Sequence, residues 1–416
     1  MAKTSFGNRV QKAGAAVGAA ALALSGLGAV ARADDPPPFP KTLAEAVQAE
    51  QDDALPLTAF YDQAPKLAAS RPGDLLAEQA AGDYTLPAGA AATRILYHSI
   101  QDGKDVITSA VVLVPAGQAP DGGWPVIAWA HGTSGVARQC APSAMKDVYY
   151  GGEGLSDMLN AGFAVVATDY HGLGSSGGHP YMNKIDQAAD VIYSVPAAQA
   201  AVPTLGKKWV VSGHSQGGLA AWGVAELQKD HPDPNYLGAV AVAGATHLGW
   251  FLDHPEATKG AGFYLAWHAF AVHQRYPAFK PSDMLSKIGQ AHYEDVTTKG
   301  CWLYGFLSYS GVEAPQMVKP EWRDNAWVRK FFTENSAGDT PVGGPMLVIA
   351  GEADNSVPIE AVRDTVKKAC ALKPTLQFRS YPGLDHDPVM SESVGYQLDW
   401  IKDRFSGKPA PSNCDG

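Results

Sequence analysis

The sequence predicts an α/β protein: a doubly wound, mostly parallel sheet with helices on both faces and a helical cap inserted late in the chain. Three observations predict it. Short apolar runs recur at 106–114, 126–130, 163–169, 207–212, 239–243, 346–350 and 376–378. They are continuous rather than alternating, the pattern of strands buried on both faces of a parallel sheet. Helical spacing fills the intervals, with Ile185, Ala188, Ala189 and Ile192 in one and the stretches 219–227, 359–370 and 394–405 in others. The interval 250–340 breaks this rhythm, holding no strand of the buried type but 17 of the 39 aromatic residues. A segment of that kind, placed after the strand that follows residues 213–227, is where a lid over a site would sit.

Taken in order, residues 1–33 read as a signal peptide. Lys3, Arg9 and Lys12 precede an apolar run from Ala13 to Val30, and Ala31-Arg32-Ala33 offers a cleavage site. Export of the Sec type and a mature chain starting near Asp34 are expected, with no integral membrane segment left after processing. Residues 34–90 are expected to form a stiff proline-rich leader and a helical segment, 91–249 the first part of the sheet domain, 250–340 the aromatic-rich cap, and 341–416 the rest of the sheet domain. Hydrophobic residues make up 46% of the 416 and charged residues 18%, enough for a large core in a domain enlarged by an insertion. Removing four basic residues with the leader takes the formal charge from −10 to about −14. An acidic surface argues against nucleic-acid partners and against docking on anionic lipid. Four cysteines, Cys140, Cys301, Cys370 and Cys414, suggest two disulfides in an exported protein, with three connectivities open. Their wide spacing excludes a zinc knuckle.

The chemistry centres on Gly213-His214-Ser215-Gln216-Gly217-Gly218, set between a strand and a helix. G-x-S-x-G in that setting is the nucleophile elbow of the α/β-hydrolase fold. Glycines on either side let backbone approach, and the following helix points its N-terminus at Ser215. A serine nucleophile needs a base, and the base needs an acid to fix its tautomer. In this fold they follow in the order Ser, acid, His. Asp354 comes shortly after the apolar run 346–350; Glu352 competes but stands one residue past the strand. His386 follows the last strand and is the only histidine after position 292. Its neighbours Asp385 and Asp387 favour an imidazolium and are not assigned as the acid. The oxyanion needs two N–H donors. Gln216 supplies one, and the loop His131-Gly132-Thr133-Ser134-Gly135 supplies the other through Thr133. No metal or organic cofactor is needed.

Ala130-His131-Gly132-Thr133-Ser134-Gly135 with Cys140-Ala141-Pro142-Ser143 resembles the secretory lipase family, the lipase A-like α/β-hydrolases. Asp169-Tyr170-His171-Gly172-Leu173-Gly174, Gly178-His179-Pro180-Tyr181 and the elbow are similar to the same family. The resemblance implies an exported ester hydrolase with a helical cap, acting on acylglycerols or simpler acyl esters. It also implies the pairs Cys140–Cys301 and Cys370–Cys414. Only 30 residues follow His386, which leaves little room for the C-terminal flap that some members place over the acyl tunnel. The stretch 169–181 is expected to support the oxyanion side rather than to react. Aminopeptidase-type peptidases and acyltransferases share the scaffold and the triad and are the alternatives.

Overall fold

The computed structural model describes residues 39–149, 154–254 and 262–414; the expected signal peptide lies outside them. Strands β1 (Leu75–Ala81), β2 (Ala91–Gln101), β3 (Lys104–Val114), β4 (Trp124–Ala130), β5 (Ala164–Thr168), β6 (Leu205–His214), β7 (Tyr236–Val242), β8 (Met346–Gly351) and β9 (Leu376–Tyr381) form one sheet. Their order is β1-β2-β3-β5-β4-β6-β7-β8-β9. The strands from β5 to β9 in that order run parallel, while β1, β2, β3 and β5 pair antiparallel. The α/β class and the mostly parallel sheet therefore stand.

The apolar runs are continuous because alternate residues feed two cores. Val126, Ala128, Val211, Ala239, Ala241, Met346 and Val348 face one layer of helices, among them Lys184–Ala201 and Gln216–Asp230. Ile127, Trp129, Val210, Val240, Leu347 and Ile349 face the other, with Met158, Trp400 and Ile401 from Ser156–Asn160 and Pro388–Phe405.

One expectation, a leader and a helical segment up to residue 90, is incomplete. Among the described residues the stretch to residue 90 holds the α-helix Leu43–Asp53, capped by Thr42 and Glu45 in a capping box, a short 3-10 turn at Leu67–Ala69, and then the edge strand β1. The β1 sequence, Leu-Leu-Ala-Glu-Gln-Ala-Ala, has helix-forming composition, and pairing with β2 overrides it. On Lys184–Ala201, Ala188 is buried but Ile185 is 40% exposed. The packed face carries polar groups as well as Ala188, Val191 and Val195: Lys184 pairs with buried Glu226 at 2.6 Å, and Asp190 accepts from Ser99, Thr108 and the His171 N–H.

Register positions the site. Ala130 lies opposite Gly213, His214 opposite Val242, Val242 opposite Ile349, and Gly351 opposite Tyr381. The loops after β4, β6, β8 and β9 thus leave the sheet at nearly one level. The chain order also reverses about β4, whose neighbours are β5 and β6, and a crevice at such a switch point is where open α/β sheets bind ligands.

Residues between β7 and β8 form helices with no strand among the described residues. Their core is aromatic: Trp267, Phe279, Phe331 and Phe332 are buried, and Trp267 Nε1 donates to the Val296 carbonyl at 2.9 Å. The insertion is fastened to the sheet body from several sides. Cys140 is disulfide-bonded to Cys301. Glu50 accepts the N–H groups of Cys301 and Tyr304 at 3.0 and 2.8 Å, occupying the N-terminal donors of the helix Trp302–Ser308. Gln139 donates to the Thr298 and Lys299 carbonyls. The second disulfide, Cys370–Cys414, ties the chain's tail to the helix Ile359–Ala371. Both pairings are those the family resemblance implied.

Candidate active site

Ser215 follows the last residue of β6 and precedes the helix Gln216–Asp230, with φ +57° and ψ −116°. A side chain held there costs on the order of 1–3 kcal/mol. The glycines make the turn possible: a Cβ on Gly217 would overlap the Ala130 carbonyl, and one on Gly213 the carbonyl of Gly217. That same close approach brings the loop after β4 against the elbow.

Asp354 and His386, from the loops after β8 and β9, meet: His386 Nδ1 is 2.8 Å from Asp354 Oδ2. The other carboxylate oxygen, Oδ1, accepts the N–H groups of Ser356 and Val357 at 2.8 and 2.7 Å. An ionised carboxylate only accepts, so His386 carries its proton on Nδ1 and leaves Nε2 as the basic atom. Glu352 turns away, accepting from Ser380 Oγ at 2.6 Å. Asp385 accepts from the Asn355 and His386 N–H groups. The hydrogen bonds of the described residues include none between Ser215 Oγ and His386. In unliganded hydrolases this contact is commonly looser than in the reacting complex. The His386 ring lies beside that of His214, the residue before Ser215, with centroids 4.7 Å apart.

The electrostatics separate the two imidazoles. Burial alone would lower the His386 pKa, but the Asp354 charge and hydrogen bond, with Asp387 and Asp385, outweigh it and raise it above 6.5. Burial, with the His386 charge, takes His214 down to about 3, so His214 stays neutral and offers no competing charge. His214, His386 and Asp387 bring potential ligand atoms within 4.8 Å of one another, making them the one group of metal-type donors among the described residues.

Near Ser215, no acceptor among the described residues takes the N–H of Thr133 or of Gln216. Both residues line one cleft with Ser215. The loop 169–181 braces them. Tyr181 Oη is 3.1 Å from Thr133 Oγ1, and Tyr170 Oη donates to the His131 carbonyl at 3.1 Å. Tyr149 Oη donates to the Thr133 carbonyl at 2.5 Å. His179 Nδ1 faces the His171 carbonyl at 3.2 Å, so its Nε2 is the acceptor for the Gln216 side-chain amide at 3.0 Å.

The empty space of the cleft, counted out into the solvent at its mouth, is about 690 Å³. Leu248, Phe251, Tyr264, Leu265, Trp322 and Phe332 of the insertion form much of its wall, facing Ser215, Met182 and Val357. The sequence flagged the aromatic enrichment but not which rings face the cleft. Nor did it reveal the pairs Thr133–Tyr181 and Gln216–His179, which join residues 48 and 37 positions apart.

A profile of the Secretory lipase family matches residues 149–413, more than half the chain, and this span contains Ser215, Asp354 and His386. The chain belongs to that family. Among relatives, Lipase 5 of Candida albicans is 25% identical over 279 residues. That match takes in 62% of this chain and 58% of Lipase 5, so only a little over half of that relative's length is spanned. A protein of Mycobacterium tuberculosis described as a probable inactive lipase is 22% identical over 348 residues, 78% of this chain and 76% of its own. Among solved structures, lipase A of Candida antarctica in its closed state superposes with a TM-score of 0.73 at 18% identity, covering 87% of this chain and 90% of that one. The rice cell wall degrading esterase LipA of Xanthomonas oryzae gives 0.70 at 18% identity, covering 82% and 100%. At such identities the likeness establishes the fold, an α/β-hydrolase, and nothing finer.

Proposed function

We propose that this secretory lipase family member is an exported carboxylic-ester hydrolase of lipase or esterase type, working through an acyl-enzyme. Ser215 Oγ attacks the ester carbonyl while His386 Nε2 takes its proton and passes it to the departing alcohol. Asp354 holds the Nδ1–H tautomer and balances the imidazolium. The N–H groups of Thr133 and Gln216 hold the oxyanion, each worth on the order of 10²–10³ in rate. Water, deprotonated by His386, then releases the acid. The insertion between β7 and β8 acts as the cap that roofs the acyl or alcohol group, and the signal-like residues 1–33 direct export, in keeping with the family's name and the two disulfides.

The observation that carries this reading is the 2.8 Å contact of His386 Nδ1 with Asp354 beside the elbow. One relative is described as inactive; here serine, aspartate and histidine are all present. No carboxylate lines the cleft among the described residues, which favours an uncharged ester over the amine terminus that an aminopeptidase would bind. Ser215→Ala is expected to abolish both hydrolysis of p-nitrophenyl esters and labelling by a fluorophosphonate. Full turnover in that variant would refute the assignment. Aminoacyl anilides cleaved faster than esters would favour the peptidase, and ester products formed with a competing alcohol would favour acyl transfer.

A further inference from the structure

Among the described residues, the apolar wall contributed by the insertion carries polar atoms on the helix Tyr264–Arg275. Tyr264 and His268 stand four residues apart on the helix Tyr264–Arg275, a spacing that puts both on one face, and both line the cleft with Ser215. Each has one polar function engaged and one left over. His268 Nδ1 lies 2.8 Å from the Tyr264 carbonyl. A carbonyl only accepts, so the imidazole proton is on Nδ1 and Nε2 keeps its lone pair. Tyr264 Oη accepts the indole N–H of Trp302 at 2.9 Å, which leaves its own O–H to donate.

Among the hydrogen bonds of the described residues, none engages His268 Nε2 or the Tyr264 hydroxyl hydrogen. His268 Nε2 is also not one of the sealed polar atoms without a partner, so it is reached through the cleft. The ring's direction is fixed by packing, with Tyr181 edge-on at 5.5 Å and Phe332 at 5.2 Å between centroids. Burial lowers the His268 pKa to about 4, so the ring is neutral, an acceptor, at pH 7. A wall meant only for an alkyl chain gains nothing from such atoms, which lose water on substrate binding without replacement.

We propose that Tyr264 and His268 form a hydroxyl-reading subsite. The favoured ester carries a hydroxyl on the part lying against this helix; its O–H donates to His268 Nε2 and its oxygen accepts from Tyr264 Oη. The inference rests on the ester-hydrolase reading and narrows its substrate class. A methyl in place of the hydroxyl leaves both protein groups unpaired, and a carboxylate there cannot donate to His268.

The test compares isosteric pairs across a series of chain lengths. On the acyl side these are p-nitrophenyl esters of ω-hydroxyalkanoic acids against alkanoates with a methyl in place of the hydroxyl. On the alcohol side they are alkanediol monoacetates against alkyl acetates. At one length the hydroxylated ester is expected to have the higher kcat/KM by about tenfold. The ratio should fall to about one in His268→Phe and in Tyr264→Phe, and His268→Gln, which restores an acceptor, should recover part of it. A wild-type ratio at or below one at every length overturns the subsite, as does a preference unchanged in the two Phe variants. The wild-type series decides even if a variant does not fold. A flat ratio with brisk turnover removes the subsite alone. No turnover of either ester, with Ser215 unlabelled by fluorophosphonate, removes the hydrolase reading and the subsite with it.

Discussion

Replacing Asp354 by asparagine changes one atom pair and should nearly silence the enzyme. The carboxylate faces two kinds of partner: Oδ1 accepts two main-chain N–H groups, from Ser356 and Val357, while Oδ2 faces His386 Nδ1. In the variant the amide oxygen must take the Oδ1 position, because an NH₂ there would oppose two donors at less than 3 Å. The NH₂ then points at Nδ1 and donates to it. His386 is driven to the Nε2–H tautomer, which presents a proton rather than a lone pair to Ser215. The same tautomer inversion in a serine protease lowers kcat by about 10⁴, equivalent to about 5 kcal/mol of barrier. Turnover of a short p-nitrophenyl ester against pH would measure it, with near-ultraviolet circular dichroism to show that the fold is retained. A kcat within tenfold of wild type in a folded variant would refute Asp354 as the orienting acid.

Other expectations follow from the same geometry. His386 must be neutral to act, and its pKa is raised above 6.5, so the ascending limb of kcat/KM against pH should have its midpoint above that value. By the same linkage, the Asp354–His386 pair stabilises the fold fully below the unfolded histidine pKa and loses that contribution as pH rises through the folded one; a limb centred below 6.5 would contradict this. Breaking Cys140–Cys301 by a double alanine substitution opens a closure of 161 residues and should lower stability by about 4–5 kcal/mol in urea unfolding if chain entropy dominates. Gly217→Ala places a methyl group against the Ala130 carbonyl and should cost about 3 kcal/mol or more, with loss of turnover; wild-type activity in this variant would mean the elbow is looser than described.

What the sequence made legible is what depends on local backbone chemistry. The elbow announces itself because only glycine fits where its backbone meets β4, and Asp354 and His386 follow from their places after late strands. Parallel strands are readable because burial on both faces leaves their central stretches apolar, most fully in β4 and β8. β1 was hidden: an edge strand of helix-forming composition takes its conformation from its partner, which local sequence does not record. The helix Lys184–Ala201 was legible from its spacing, but not which side it buries: Lys184, Gln187 and Asp190 are buried there while Ile185 faces outward. Charge satisfied by a distant partner such as Glu226 looks, in one dimension, like a solvent-facing residue. Support of the Thr133 side by the stretch 169–181 was expected, but which residues pair, Tyr181 with Thr133 and His179 with Gln216, was illegible for the same reason. Tyr264 and His268 had the right spacing to share a face, but nothing in one dimension says that the face lines a cleft.

The most direct measurement is a crystal structure of the enzyme inactivated by a fluorophosphonate carrying a short alkyl chain. Phosphorus is expected on Ser215 Oγ, with the phosphonyl oxygen about 2.7–3.1 Å from the main-chain nitrogens of both Thr133 and Gln216, and with His386 still bonded to Asp354. Phosphorus on a different side chain, or a phosphonyl oxygen turned away from those two nitrogens, would contradict the account.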